Sequence, residues 1–162
     1  IVPVNIHEVL EHIRKLLSAE TQFALNVVTD YDPSLPNVVG DREQLVQACL
    51  NVARNAMQAL TDIQDPSLTF KTRIQRQVTI GNTSHRLMLR IDIIDNGPGI
   101  PADIAENLFF PMVSGRQGGI GLGLSIAQTI INQHNGLIKF ESMPGETVFS
   151  LYLPLEKRHG QA

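Results

Sequence analysis

The chain has 162 residues, 43% of them apolar and 18% charged, which supports one packed domain and excludes general disorder. Sixteen acidic against thirteen Lys and Arg residues leave a net charge of −3, so there is no whole-domain basic field for nucleic acid or an anionic membrane. The single cysteine, Cys49, excludes an internal disulfide framework and a Cys-based zinc cluster, and no apolar run approaches the ~20 residues that cross a bilayer. With no signal peptide and Ile1 in place of an initiator Met, the chain reads as a soluble, cytoplasmic domain from a longer protein.

Ile6, Val9, Leu10, Ile13, Leu16 and Leu17 recur at helical spacing and predict a helix over 5–19. A strand follows over 23–29, then a proline-punctuated turn over 31–36. Asp41 caps a second helix, with Gln44 at the capping-box position, running to about residue 63 before Asp65-Pro66. Two β-rich runs, 68–80 and 87–94, flank Gly81-Asn82-Thr83-Ser84 and predict a hairpin. Its arginines, Arg73, Arg76, Arg86 and Arg90, read either as solvated edge-strand charges or as an anion site. Residues 95–119 form a long loop rich in Gly and Pro, of the kind that is often functional.

A third helix fits 121–134, stopped by Asn135-Gly136. Strands over 137–142 and 147–153 close the chain around Pro144-Gly145. Helices are too few for one crossover per strand. The expected class is α+β, a two-layer sandwich with a mixed sheet of about five or more strands and three main helices on one face.

Three features carry chemistry. Gly118-Gly119-Ile120-Gly121-Leu122-Gly123 leads directly into a helix, whose unpaired N–H groups suit phosphate oxygens. It matches neither the Walker pattern, since no Gly-Lys-Ser/Thr occurs, nor the Rossmann pattern, whose third glycine would fall on Leu124. A purely structural turn is the alternative. Second, the apolar strand ending in Asp95-Asn96-Gly97-Pro98-Gly99 offers a carboxylate for an exocyclic amine and glycines for a flat ring, or else a plain turn. Third, Asn51 and Asn55 share a helix face beside the apolar stripe Leu45, Cys49, Val52, Ala56 and Leu60. An amide oxygen suits Mg²⁺, and two buried amides capping nearby backbone are the alternative.

Taken together, Asn-x-x-x-Asn-Ala, Asp-x-Gly-x-Gly, a Phe-rich loop and Gly-x-Gly-Leu-Gly-Leu resemble the GHKL ATP-binding domains of bacterial sensor histidine kinases over nearly the whole chain. The resemblance implies a Bergerat-type fold in a single domain over 1–162, with ATP and Mg²⁺ as cofactors. It makes Asn55 the metal ligand and Asn51 the earlier asparagine of the same box. Asp95 becomes the acceptor for the adenine amine, with Gly97 and Gly99 beneath the ring. Phe109 and Phe110 fall in the F box. Gly119, Gly121, Leu122 and Gly123 stand at the phosphates, and Gly145-Glu146-Thr147 stands at a third glycine box, with Thr147 at the nucleotide. Residues 111–118 resemble a short lid from which Arg116 reaches the γ-phosphate.

GHKL enzymes that hydrolyse ATP carry a glutamate where this chain has Asn51, and an amide cannot take a proton from water at neutral pH. The resemblance therefore implies transfer to an external histidine, with Asn51, Asn55 and Arg116 as the catalytic set. His7, His12, His85, His134 and His159 lack the acceptor context, so the acceptor is expected on a separate dimerisation domain of a homodimeric protein. His134 lies near a helix C-terminus, which favours a cation.

Asn55-Ala56-Met57-Gln58-Ala59, the short lid and the long hairpin look most like nitrogen-regulation sensor kinases. Those kinases phosphorylate a response regulator, assist its dephosphorylation, and answer to a PII-type signalling protein. Ile120 and Glu146 depart from the family's usual Thr or Ser and Gly. They favour the competing reading, a nucleotide-sensing module that binds ATP weakly and docks a regulator.

Overall fold

The computed structural model describes residues 1–106, 108 and 120–155. The elements are β1 (Val2–Val4), α1 (Ile6–Glu20), β2 (Asn26–Asp30), β3 (Val38–Gly40), α2 (Arg42–Ala59), β4 (Ser67–Ile80), β5 (Thr83–Asp95), α3 (Ala102–Ala105), α4 (Ile120–Gln133), β6 (Leu137–Met143) and β7 (Glu146–Pro154).

The main sheet has five strands in the order β2-β4-β5-β7-β6. Only β2 and β4 run parallel; the other neighbours are antiparallel. This is the expected mixed sheet, and α1, α2 and α4 are the three main helices. A separate antiparallel ribbon, β1 with β3, was not expected. Each of its strands has three residues, too few for an alternating pattern to register.

Cross-strand register explains the layering, because directly opposed residues point to the same side of a sheet. Phe70, Ile93, Phe149 and Phe140 form one row, and Thr72, Ile91, Leu151 and Ile138 another. Their apolar members join α1 residues Val9, Ile13 and Leu17 and α2 residues Leu45, Cys49, Val52, Ala56 and Leu60 in one core. The α2 stripe therefore faces the sheet as its spacing required. Burial pushes the Cys49 thiol up to about 12, which makes it an inert packing residue.

The opposite face holds charges. Arg90 Nε donates to Asp92 at 2.9 Å, and Ser150 donates to the same carboxylate at 2.6 Å. Arg73 pairs with Asp30 at 2.9 Å on the β2 side. Two of the four hairpin arginines are thus tied internally, while Arg76 and Arg86 are exposed.

Boundaries shift where local signals compete. Asn5 is the N-cap of α1 rather than its first residue, its side chain accepting from the His7 N–H at 2.9 Å. α2 stops at Ala59, where the Leu60 N–H turns back to the Met57 carbonyl at 3.0 Å. β2 starts at Asn26, and Phe23 and Leu25 pack against the core from the connection before it. β5 starts at Thr83 because the hairpin closes through Gly81-Asn82 alone, with Gly81 at φ 58°.

Candidate functional site

At one end of the helix-covered face the apolar rows give way to Leu68, Asp95, Thr147 and Ser142, opposed in that order across β4, β5, β7 and β6. Asp95 is only 2% exposed and Thr147 3%. Beyond Asp95 the chain turns under the end of α2. The Gly97 N–H donates to Asp95 Oδ1 at 2.9 Å. A Cβ on Gly97 would lie 2.9 Å from that oxygen and 3.0 Å from the Ala59 carbonyl, so only glycine fits. Gly99 adopts φ 93°, and a Cβ there would stand 2.9 Å from the Met143 carbonyl oxygen.

Asn96, which in the sequence is one residue of a common Asp-Asn-Gly turn, pins this loop from outside. Its Oδ1 accepts from the Ser67 N–H at 2.8 Å, and its Nδ2 donates to the Asp65 carbonyl at 2.9 Å. On the far side the Gly145 N–H donates to the Gly97 carbonyl at 3.0 Å. The Ile100 N–H donates to Ser142 Oγ at 2.7 Å, and Ser142 Oγ lies 2.7 Å from Thr147 Oγ1.

The second wall is α2. Asp41 caps it, accepting from the Gln44 N–H at 3.2 Å. One helix face carries Asn51 and Asn55. Asn55 is 7% exposed, yet its side chain has no hydrogen-bond partner among the described residues. A buried amide left unpaired costs about 1–3 kcal/mol, so such a group calls for a completing partner, whether a water, an ion or a ligand.

The third wall is the start of α4, whose backbone includes Gly121, Leu122 and Gly123. A Cβ on Gly123 would lie 3.8 Å from the Asn51 Cβ, so the glycine-rich turn abuts the asparagine face. His134 anchors the other end of α4. Its Nδ1–H donates to the Ile130 carbonyl at 2.9 Å, and its Nε2 accepts from the Asp41 N–H at 3.1 Å. Gly40 makes the contact possible: a Cβ there would lie 2.7 Å from the imidazole.

The structure therefore brings Asn51, Asn55, Asp95, Gly97, Gly99, Gly123 and Thr147 to one end of the fold. Arg116, Phe109, Phe110, Gly119 and His159 lie outside the described residues. Among the described residues no group of three or more His, Cys, Asp or Glu side chains could hold a metal. A cation here would be held by the neutral amide oxygen of Asn55 and by substrate oxygens, a donor set that fits Mg²⁺. The groove of about 350 Å³ between α1 and α2, lined by Leu17, Phe23, Arg54 and Met57, contains none of these residues.

Residues 40–157 match the model for histidine kinase-, DNA gyrase B-, and HSP90-like ATPases. The chain belongs to this family. Membership implies use of ATP. Among curated relatives, the sensory histidine kinase/phosphatase NtrB of Klebsiella oxytoca is 50% identical over 156 residues, covering 96% of this chain and 44% of its own. NtrB of Vibrio alginolyticus is 48% identical over 151 residues, covering 93% and 43%. The chain thus spans less than half the length of these relatives. The catalytic domain of histidine kinase ThkA superposes with a TM-score of 0.78 at 23% identity, covering 94% of both chains. The mycobacterial sensor histidine kinase MprB gives 0.75 at 23% identity, covering 94% of this chain and 95% of its own. At that identity these two structures establish the shared fold alone. No helix among the described residues is long and apolar enough to cross a membrane.

Proposed function

We propose that this chain is the ATP-binding catalytic domain of a two-component sensor histidine kinase, delivering the γ-phosphate of ATP to a histidine on a separate dimerisation domain. The observation that carries the reading is the buried Asn55 amide, without a hydrogen-bond partner among the described residues, beside Asn51 and the glycine-rich start of α4. In this reading Asn55 holds Mg²⁺, which neutralises phosphate charge. Asp95 accepts the adenine amine above Gly97 and Gly99, and the N–H groups at Gly121, Leu122 and Gly123 receive phosphate oxygens. Asn51 offers an amide where a hydrolase needs a carboxylate base, so water is not activated and the phosphoryl group waits for an external nucleophile. Arg116 and Gly119 complete the phosphate end by resemblance.

The likeness to NtrB sensory kinase/phosphatases supports nitrogen regulation as the setting, with a response regulator as phosphoacceptor and target of linked phosphatase control. A PII-type regulator, a homodimeric cytoplasmic whole protein and a separate acceptor domain belong to the same proposal.

Mixing the chain with Mg-ATP and a histidine-bearing dimerisation domain tests it. Phosphohistidine formed in trans, and lost on Asn55→Ala, is the expected result. ATP binding without transfer would sink the kinase reading in favour of a nucleotide-sensing module. Rapid phosphate release without acceptor would instead make the domain an ATPase.

A further inference from the structure

We propose that Ser142 is a positioning residue for the adenine end of the site, setting base selectivity without touching the base. The inference rests on the reading of Asp95 as the acceptor for the adenine amine. The segment 97–100 runs along the β6–β7 turn and is held there at three points. Two use main chain alone: the Gly145 N–H on the Gly97 carbonyl at 3.0 Å, and the packing of Gly99 against the Met143 carbonyl. The third is a side chain, Ser142 Oγ, which accepts the Ile100 N–H at 2.7 Å.

The same oxygen lies 2.7 Å from Thr147 Oγ1, and Thr147 stands directly across β5–β7 from Asp95. At the other end of the loop, Asp95 Oδ1 accepts the Gly97 N–H at 2.9 Å. The loop is thus strung between two side-chain acceptors, Asp95 at its start and Ser142 at its end. Removing the Ser142 hydroxyl strands the Ile100 N–H and the Thr147 hydroxyl together and frees the loop that orients Asp95. A serine on β6 acts in this way on a carboxylate two strands away.

The test measures binding of Mg-ATP and of Mg-purine riboside triphosphate, which lacks the exocyclic amine, to the chain and its variants by calorimetry. Ser142→Ala is expected to weaken ATP about tenfold and the amine-free analogue by less than about twofold, while Ser142→Thr, which keeps the hydroxyl, restores ATP affinity. Hydrogen exchange gives a second readout, in which Ser142→Ala speeds exchange of the Ile100 amide while the β5 amides stay protected. Equal weakening of both nucleotides, or none, or failure of Ser142→Thr to rescue, would overturn the proposal. If Ser142→Ala does not fold, Ser142→Thr and Ser142→Cys, whose sulfur is only a weak acceptor, decide. The proposal requires ATP preference over the analogue to be kept in the first and reduced in the second, and the reverse sinks it. Asp95→Ala separates the two levels. If it leaves the preference for ATP intact, the reading of Asp95 fails and the inference with it; if it erases that preference while Ser142→Ala is silent, the inference fails alone.

Discussion

Two polar clusters are buried on the same helix-covered face of the sheet, separated by the row Phe70, Ile93 and Phe149. Around Thr72 every group is engaged. Its hydroxyl accepts the Asp32 N–H at 3.0 Å and bonds His7 Nε2 at 2.8 Å, and the His7 ring stacks on Tyr31 at 4.5 Å. The Tyr31 hydroxyl, kept protonated by burial, donates to Glu11 at 3.0 Å. Arg14 in turn donates to Glu11 and holds its carboxyl below the usual range. Around Asn55 the opposite holds: the residue is 7% exposed and its amide has no hydrogen-bond partner among the described residues. The first cluster ties α1 and the chain after β2 to β4. The second leaves hydrogen-bonding capacity open at the mouth formed by α2, α4 and the end of β5. Buried polar groups that are satisfied hold a fold in one arrangement, whereas an unsatisfied one is a cost that a ligand removes.

The sharpest way to break this contrast is to truncate one member of each cluster. Asn55→Ala is expected to weaken Mg-ATP by at least ~100-fold, or about 2.7 kcal/mol, in titration calorimetry. Its urea unfolding free energy should move by less than about 1 kcal/mol, since no bond to the described residues is lost. Thr72→Val should do the reverse. Stranding the Asp32 N–H and His7 costs about 2 kcal/mol of stability, with ATP affinity unchanged within about twofold. If the two variants lose similar stability, the distinction between the clusters is wrong.

Two smaller effects sharpen it. Gly123→Ala places a methyl in the first turn of α4, against Asn51. Helix propensity predicts a gain of about 0.5–1 kcal/mol in thermal or urea unfolding. The same methyl weakens Mg-ATP binding because it fills the approach to the phosphate end, so a gain in both would contradict the site. The smallest effect is one of pH. Burial holds the His7 pKa below its ordinary value, only partly offset by Asp32 and Glu11. The unfolded chain therefore takes up the proton first, and this residue's contribution to stability is lost as pH falls from about 6.5 towards the lowered folded value. Urea midpoints measured between pH 5 and 7.5 should fall less steeply on the acid side for His7→Gln than for the parent.

Much of this was legible in the residue order because period and punctuation are local. The stripe Leu45, Cys49, Val52, Ala56 and Leu60 named the buried face of α2, and Asp41 named its cap. Gly81-Asn82 marked the hairpin. What was not legible depended on partners far along the chain. The ribbon of β1 with β3 joins residues about 36 positions apart in strands too short to show a pattern. The helix end is all that the sequence shows of His134, whereas its ring is held by the Asp41 N–H across 93 positions. Arg73 and Arg90 offered only charge; their acidic partners decide that they are braces.

By itself the sequence determined the kind of chemistry available: two amides one helical turn apart, a carboxylate at a strand end, glycines at a helix start, and a match to one ATPase family over residues 40–157. Those are properties of side-chain type and spacing, which survive without knowledge of the fold. The tertiary structure decided which of these groups are left wanting a partner. Thr72 and Asn55 are both polar and both buried, but only packing shows that the first is bonded and that the second has no partner among the described residues. It also decided that the loop after Asp95 is strung to Ser142 on β6, because hydrogen-bond satisfaction is a property of three-dimensional neighbours rather than of sequence neighbours.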